Sequence, residues 1–181
     1  MTEELIIAGF GGQGVLSMGK ILAYSGIMQD QEVSWMPSYG PEMRGGTANV
    51  IVIVSDERIS SPVLTVFDTA IILNQQSMDK FEKSVKPGGV LIYDPNGITH
   101  HPTRTDIKIY QIEGAQLSAD MGNTKIFNMV ILGAYLQVKP IVKIENVIRG
   151  LKKSLPERYH KLIPINEDAL TTGMKNVVLR S

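Results

Sequence analysis

The residues Leu5-Ile6-Ile7-Ala8-Gly9-Phe10-Gly11-Gly12-Gln13-Gly14 decide the fold of this chain of 181 residues. An apolar run enters a cluster of glycines, and residues 15–22 leave the cluster with apolar side chains at helical spacing. This pattern predicts a strand over about 4–9, a tight turn, and a helix from Gly14 to Met28. Such a turn brings bare backbone N–H groups close to whatever lies above it. We therefore predict a Rossmann-like first βα unit.

The composition is that of one globular domain, which we expect to span residues 1–181. The chain is 43% hydrophobic, its formal net charge is zero, and it contains no cysteine. A nucleic-acid partner is not expected, because such proteins usually carry a basic excess. The lack of cysteine excludes a disulfide framework, a thiolate nucleophile and a cysteine-ligated iron–sulfur cluster within these residues. With an acidic N-terminus and no long apolar run, we expect a cytoplasmic protein without a membrane span.

Two strands follow the first helix. Residues 33–36 predict a short strand that ends at Pro37, and residues 47–54 predict the clearest strand of the chain. A parallel crossover needs roughly a dozen residues or more, usually with a helix. The short connection, rich in proline and glycine, therefore predicts an antiparallel pair. If the first two strands are parallel, loop 38–46 lies on the same sheet edge as the glycine turn.

The rest of the chain alternates between predicted strands and predicted helices. Strands are expected at 68–74, 90–93 and 107–112, the last of them at an edge. Helices are expected at 76–85 (ended by Pro87-Gly88-Gly89), 127–138, 144–155 and 167–176. This order predicts a three-layer α/β/α domain with a mostly parallel sheet. Ligands of such sheets bind beyond the carboxyl ends of the strands. Those ends carry the glycine turn, residues 38–39, residues 74–76 and Asp94.

The glycine turn admits three interpretations. Gly9, Gly11 and Gly14 fit the dinucleotide pattern G-x-G-x-x-G, but that site also needs an acidic residue at the end of the second strand. Asp30 and Glu32 have about the right spacing and precede the strand instead. The glycines can also serve close packing of strand and helix, or they can approach an anion or a partner's backbone.

A second motif lies at residues 39–46, where Glu42 and Arg44 are flanked by glycines. Ordered loops with such residues are often functional. Arg44 is suited to clamp a carboxylate or phosphate with two hydrogen bonds. The alternative is that Glu42 and Arg44 pair locally or across a subunit interface and hold the shape of the loop.

The two motifs together carry a resemblance. Gly-Phe-Gly-Gly-Gln-Gly-Val (9–15), followed by Ser-Tyr-Gly-Pro-Glu-Met-Arg-Gly-Gly (38–46), resembles the gamma subunit of 2-oxoacid:ferredoxin oxidoreductases. Downstream pieces agree over most of the chain, namely Asp68-Thr69-Ala70, Asn74-Gln75, Pro87-Gly88-Gly89 and Asn166…Ala169…Gly173. The 2-oxoglutarate branch is the most similar, and the pyruvate and branched-chain 2-oxoacid branches are close alternatives.

The resemblance implies an accessory subunit of a multisubunit enzyme that makes acyl-coenzyme A and carbon dioxide from a 2-oxoacid and coenzyme A. The implied partners are catalytic alpha and beta subunits and a ferredoxin-like subunit. Thiamine diphosphate and iron–sulfur clusters would reside in those partners. No cofactor is expected on this chain alone, although coenzyme A at a subunit interface and self-association of the isolated chain are left open.

No catalytic or metal-ligating residue is expected here. His100-His101 is interpreted as a surface turn, since no further ligands are spaced around it. The residues expected to bind a ligand or partner are Gly9, Gly11, Gly12, Gln13, Gly14, Tyr39, Glu42, Arg44 and Gly45. Two other functions are kept open, an independent Rossmann-type nucleotide-binding protein and a purely structural subunit.

Overall fold

The structure is a computed structural model that describes residues 1–39 and 46–181, without the side chain of Tyr39. The strands within these ranges are β1 (Thr2–Phe10), β2 (Glu32–Tyr39), β3 (Thr47–Ser55), β4 (Phe67–Ile72), β5 (Val85–Tyr93), β6 (Lys108–Gln111) and β7 (Val178–Leu179). The helices are α1 (Val15–Ile27), α2 (Gln75–Phe81), α3 (Gly114–Asp120), α4 (Phe127–Val138), α5 (Ile144–Ser154) and α6 (Ile163–Asn176). Short 3-10 turns occupy 82–84, 95–97, 124–126 and 157–162.

The strands form one sheet in the order β2-β3-β1-β4-β5-β6-β7. The pairs β1–β4, β4–β5 and β5–β6 are parallel, whereas β1–β3, β2–β3 and β6–β7 are antiparallel. The predicted α/β class and the antiparallel pairing of β2 with β3 are confirmed. Five strands share one direction, but half of the neighbouring pairs are antiparallel because β3 is inserted between β2 and β1 and because β7 runs against β6.

The side chains of β1 point alternately to the two faces of the sheet, and the burial of both sets shows why this strand lies at the centre of the sheet. Leu5 and Ile7 face one side of the sheet and Ile6 and Ala8 face the other, and all four are buried. We call the side of Leu5 and Ile7 the major face, which α1 and α3–α6 cover. The opposite, minor face is covered by α2 and by loop residues such as Ile59 and Leu64. Helices therefore lie on both faces, as expected for three layers.

Two helix pairs on the major face pack backbone against backbone. A Cβ added at Gly173 of α6 would collide with the carbonyl oxygen of Val130 in α4, and one at Gly133 would collide with that of Leu170. A Cβ at Gly150 of α5 would lie 3.0 Å from the carbonyl oxygen of Ile21 in α1. None of the helices in the described residues combines the length and apolarity needed to cross a membrane.

A buried carboxylate holds the amino-terminal edge of the sheet together. Glu3 of β1 is 4% exposed, and it accepts hydrogen bonds from Thr69 Oγ1 at 2.5 Å and Tyr135 Oη at 3.4 Å. Lys139 Nζ lies 3.3 Å from its other oxygen. Tyr135 is fully buried, and burial together with the neighbouring Glu3 raises its pKa. The first strand is thereby joined to β4 and to α4.

Three details of the predicted elements are wrong. The second strand does not end at Pro37, because β2 is an edge strand and tolerates a residue without an N–H there. Residues 87–89 do not end a helix but lie inside β5, where the pairing with β4 shifts register and accommodates them. The strand at 107–112 is not an edge strand, since β7 pairs with it.

The close crossing of α4 and α6 gives a stability prediction. Gly173→Ala forces the two backbones apart, so the free energy of unfolding should fall by about 1–3 kcal/mol. Without this contact, alanine would stabilise a helix position by about 1 kcal/mol relative to glycine. Denaturant unfolding measures the change, with the exposed Thr171→Ala on the same helix as the control. A Gly173→Ala protein as stable as the control would contradict the close packing.

Candidate functional site at the carboxyl edge of the sheet

The glycine turn between β1 and α1 contains glycines of two kinds. Gly9 and Gly14 are constrained by packing, because an added Cβ would lie 2.9 Å from Leu73 Cβ in the first case and 2.8 Å from the side chain of Asn128 in the second. Gly11 and Gly12 are exposed, and a Cβ on Gly12 would meet nothing within 4 Å. The φ angle of Gly12 is +96°, which strains any other residue. Both of these glycines are exposed, but the Gly11 N–H donates to the carbonyl oxygen of Gly46, so Gly12 offers the open backbone N–H to a ligand or partner.

Gln13 is engaged in holding this turn in place. Its Oε1 accepts a hydrogen bond from the Phe10 N–H at 2.6 Å, and its Nε2 donates to the carbonyl oxygen of Leu73 at 3.2 Å. The side chain thus joins the end of β1 to the end of β4. The amide expected to meet a ligand is largely used within the chain, although each of its polar atoms retains capacity for one more hydrogen bond.

The amino terminus of α1 lies directly behind the turn. Gly14 occupies the cap position with φ at 74°, no side chain caps the helix, and the first turn contains no acidic residue. The first N–H groups of a helix lack partners within the helix and carry a partial positive charge. This end of α1 is therefore compatible with an anionic group of a ligand or partner.

The described ends of the second motif lie beside the glycine turn. The Gly11 N–H donates to the carbonyl oxygen of Gly46 at 3.0 Å, and Phe10 is paired with Thr47. The backbone of Tyr39 pairs with Ala48 at the same edge of the sheet. Glu42, Arg44 and Gly45 lie outside the described residues, so the predicted proximity of Arg44 to Gln13 stays a prediction. The expected placement of the residues that flank this motif is confirmed.

A cavity of about 310 Å³ opens at this edge, beyond the ends of β1, β4 and β5. Gly12 and Gln13 line one side, Asp94 and Asn96 line another, and Phe127 of α4 closes it. Asp94 follows β5 and is 2% exposed. Its carboxylate accepts N–H groups of Asn96 and Ala115, both at 2.8 Å, yet burial raises its pKa. The cavity occupies the position at which open α/β sheets bind ligands.

Only some of the residues that line this cavity could be predicted from the sequence. The turn at 94–97 could be read from its residues, and Asp94 was placed at a strand end. Ala115, Ser118, Thr124 and Phe127 were missed, because the signals in α3 and the start of α4 are those of ordinary helices. Asn128, which packs on Gly14, was missed for the same reason.

Asn74 is a second buried polar group near the edge. It is 0% exposed, and its Oδ1 accepts the Ser77 N–H at 2.8 Å, which caps α2. Its Nδ2 has no hydrogen-bond partner in the part of the chain that the structure describes. Its neighbour Gln75 is also engaged within the chain, since its Oε1 accepts the N–H groups of Thr99 and His100, both at 2.8 Å.

The sheet order argues against a dinucleotide site. In the Rossmann arrangement the second strand lies beside the first, and an acidic residue at its carboxyl end binds the ribose. Here the antiparallel β3 lies beside β1, and it presents its amino end, Thr47, at this edge. The parallel β2 is one strand further away and ends at Ser38 and Tyr39.

Burial of Asp94 gives a pH prediction. Burial raises the pKa of Asp94 in the folded state above 3.8, so the folded state favours the protonated carboxyl. The contribution of this group to the free energy of unfolding is therefore greatest below pH 3.8 and decreases as the pH rises through the folded pKa. The unfolding free energy of wild type minus that of Asp94→Asn should therefore fall across this window. The fall should be about 1.4 kcal/mol for each unit of pKa shift. Denaturant unfolding at several pH values measures it, and Ser118→Ala, a non-titrating change in the same cavity, is the control. A difference that rises with pH would show that hydrogen bonds to the carboxylate outweigh burial.

Several known proteins are similar to this chain in sequence and in fold. The family described as pyruvate ferredoxin/flavodoxin oxidoreductase matches residues 4–176. Ketoisovalerate oxidoreductase subunit VorA of Methanothermobacter marburgensis is 33% identical over 167 residues, which cover 92% of this chain and 35% of VorA. The chain thus spans about a third of the length of that relative. The 2-oxoglutarate synthase subunit KorC of Methanocaldococcus jannaschii is 33% identical over 160 residues, covering 87% of this chain and 86% of KorC.

A solved structure has the same fold. The keto/oxoacid ferredoxin oxidoreductase gamma subunit from Geobacter sulfurreducens PCA superposes with a TM-score of 0.82 at 28% identity, over 97% of this chain and 96% of that one. The identities to VorA and KorC are equal, so the preference for the 2-oxoglutarate branch stays a prediction. The resemblance inferred from the two motifs is confirmed, and the chain belongs to the pyruvate ferredoxin/flavodoxin oxidoreductase family.

Proposed function

We propose that this chain is the accessory, gamma-type component of a multisubunit 2-oxoacid:ferredoxin oxidoreductase. The carboxyl edge of its sheet would face the catalytic subunits or coenzyme A. The observation that carries the proposal is the hydrogen bond from the Gly11 N–H to the carbonyl oxygen of Gly46, because it joins the glycine turn to the described end of the second motif. In the proposal, both motifs that carry the family resemblance form one surface.

In the proposed enzyme, a 2-oxoacid, coenzyme A and oxidised ferredoxin give acyl-coenzyme A, carbon dioxide and reduced ferredoxin. Thiamine diphosphate would act between catalytic alpha and beta subunits, and iron–sulfur clusters would carry electrons in partner subunits, including a ferredoxin-like one. The absence of cysteine from this chain is in keeping with that division. The residues 1–181 would form one domain, whether alone or as part of a longer chain as in VorA. A cytoplasmic location is part of the proposal, since coenzyme A and ferredoxin are intracellular co-substrates.

The described residues at the edge suit recognition of an anionic group. Gly12 offers exposed backbone, Gly11 holds the described end of the second motif beside it, and the uncapped amino terminus of α1 favours negative charge. In the proposal Arg44 adds a guanidinium that clamps a phosphate of coenzyme A or a carboxylate of a catalytic subunit. Gly9, Gly14 and Gln13 would support this surface by packing and hydrogen bonding rather than by direct contact.

Substitution of Arg44 tests the role of this edge. In the complex assembled by co-expression with its catalytic subunits, Arg44→Ala should lower kcat/KM for coenzyme A, or the affinity of this chain for the complex, about tenfold. Such a loss corresponds to about 1.4 kcal/mol. Steady-state turnover and sedimentation measure the two quantities. Arg58→Ala, an exposed arginine beyond the opposite end of β3, is the control. An assembled Arg44→Ala complex with unchanged turnover would favour a purely structural subunit.

Calorimetry separates the proposal from an independent nucleotide-binding protein. Because β3 displaces β2 from the side of β1, titration of the isolated chain with NAD or FAD should give no tight binding. The folded state of the sample is checked by circular dichroism. Micromolar or tighter binding of either dinucleotide would overturn the assignment of the glycine turn to a partner or to coenzyme A.

A further inference from the structure

A second concave surface lies on the major face and adjoins the glycine turn through Asn128, which lines it and packs on Gly14. It is a groove of about 270 Å³ bounded by α1, α4, α5 and the 3-10 turn at 157–162. We call it the basic groove. It opens where the pair α1–α5 and the pair α4–α6 diverge, since each pair is in close backbone contact only internally.

The floor of the basic groove is apolar. Ile21, Ile126, Met129 and Leu151 form it, and each is at most 4% exposed. The wall carries apolar surface that stays in contact with solvent, because Tyr159 is 41% exposed and Leu162 is 39% exposed. Large apolar side chains that remain exposed around a concavity are typical of an interaction surface.

The wall is held in position by hydrogen bonds. His160 Nε2 lies 3.0 Å from the carbonyl oxygen of Lys152 and 3.1 Å from that of Leu155, so the 3-10 turn is fastened to the end of α5. Asn166 Nδ2 donates to the carbonyl oxygen of Leu162 at 2.7 Å, which fastens the turn to α6. The concavity therefore exists before anything binds to it.

The charged side chains that line the basic groove are both lysines. Lys20 and Lys125 line it, and among the described residues no carboxylate lines it or lies within 4.0 Å of either amine. The Arg158 guanidinium carbon lies 4.9 Å from the centre of the Tyr159 ring at the rim.

The dimensions favour side chains of a protein partner over a complete small ligand. Small-molecule sites usually enclose about 300–1,000 Å³, so the groove lies at the lower limit of that range, and it opens beside Lys20 and Lys125. A helix laid in a groove needs only a few apolar anchors at helical spacing, with charges along its flank. The apolar floor and the cationic rim match those two requirements.

We propose that the basic groove docks an amphipathic helix of another subunit, with apolar residues facing Ile21, Met129 and Leu151 and with acidic residues facing Lys20 and Lys125. This rests on the proposed function, because the partner is a subunit of the same complex. It assigns to the chain a contact surface next to the glycine edge, on the other side of Asn128. Opposite charge at the rim steers the encounter and selects against basic partners.

Charge reversal in the assembled complex tests this docking. Lys20→Glu together with Lys125→Glu should weaken binding of this chain to the other subunits at least tenfold, with the difference from wild type shrinking at high salt. Lys80→Glu together with Lys83→Glu changes the net charge equally, at exposed positions in and directly after α2, and should assemble like wild type. Sedimentation measures assembly, and circular dichroism checks that both variants are folded.

Carbodiimide cross-linking of the unmodified complex is the independent measurement. We expect Lys20 or Lys125 to be joined to an aspartate or glutamate of another subunit, within a helix. Unchanged assembly of the groove variant overturns the docking. Cross-links only to a second copy of this chain, or a groove occupied by a small carboxylic acid in native mass spectrometry, overturn it as well. If the wild-type chain fails to assemble with the catalytic subunits, the proposed function fails and takes this proposal with it.

Discussion

The pairing of β3 with β1 is the constraint on which the rest of the structure depends. The two strands are in antiparallel register over nine residue pairs, from Thr2 with Ser55 to Phe10 with Thr47. Because β3 runs back along β1, its first residue lies beside the last residue of β1. The chain that enters β3 is therefore brought to the glycine turn, and β2 is placed one strand further out. One backbone register thus creates the shared edge and removes the geometry that a dinucleotide would need.

The sequence was sufficient for the core of this arrangement. Three features could be interpreted from local sequence alone: the apolar run at 5–8, the glycine cluster, and the short connection before residue 47. Together they predicted the antiparallel pair of β2 and β3. It failed where a residue's meaning depends on its neighbours in space. Pro37 interrupts a central strand but is tolerated at an edge, and glycines 88 and 89 end a helix or occupy a bulge with equal ease. The edge strand β7 is only two residues long and carries no periodic signal.

In the candidate site too, residues with a local sequence signal could be predicted and residues brought in by the fold could not. The glycine turn and Asp94 could be found because turns have specific residue requirements, whereas Phe127 and Asn128 reach the site from an apolar helix more than a hundred residues away. Gln13 was correctly singled out, but only coordinates could reveal that it holds Phe10 and Leu73. The basic groove is invisible in sequence for a similar reason. Lysines on a helix are ordinary, and they gain meaning only when two elements place them around one apolar floor.

The buried Glu3 has a consequence for how the polypeptide matures on the ribosome. Its partners Thr69, Tyr135 and Lys139 are distant in sequence, and α4, α5 and α6, which cover much of the major face, are made after the other described helices. The strand β1 therefore cannot be fully shielded until most of residues 1–181 have been synthesised. During translation Leu5 and Ile7 remain open to other chains, and contacts of such long sequence separation form slowly. Among the described strands of residues 1–181, β1 is synthesised before the others and is among the last to be enclosed.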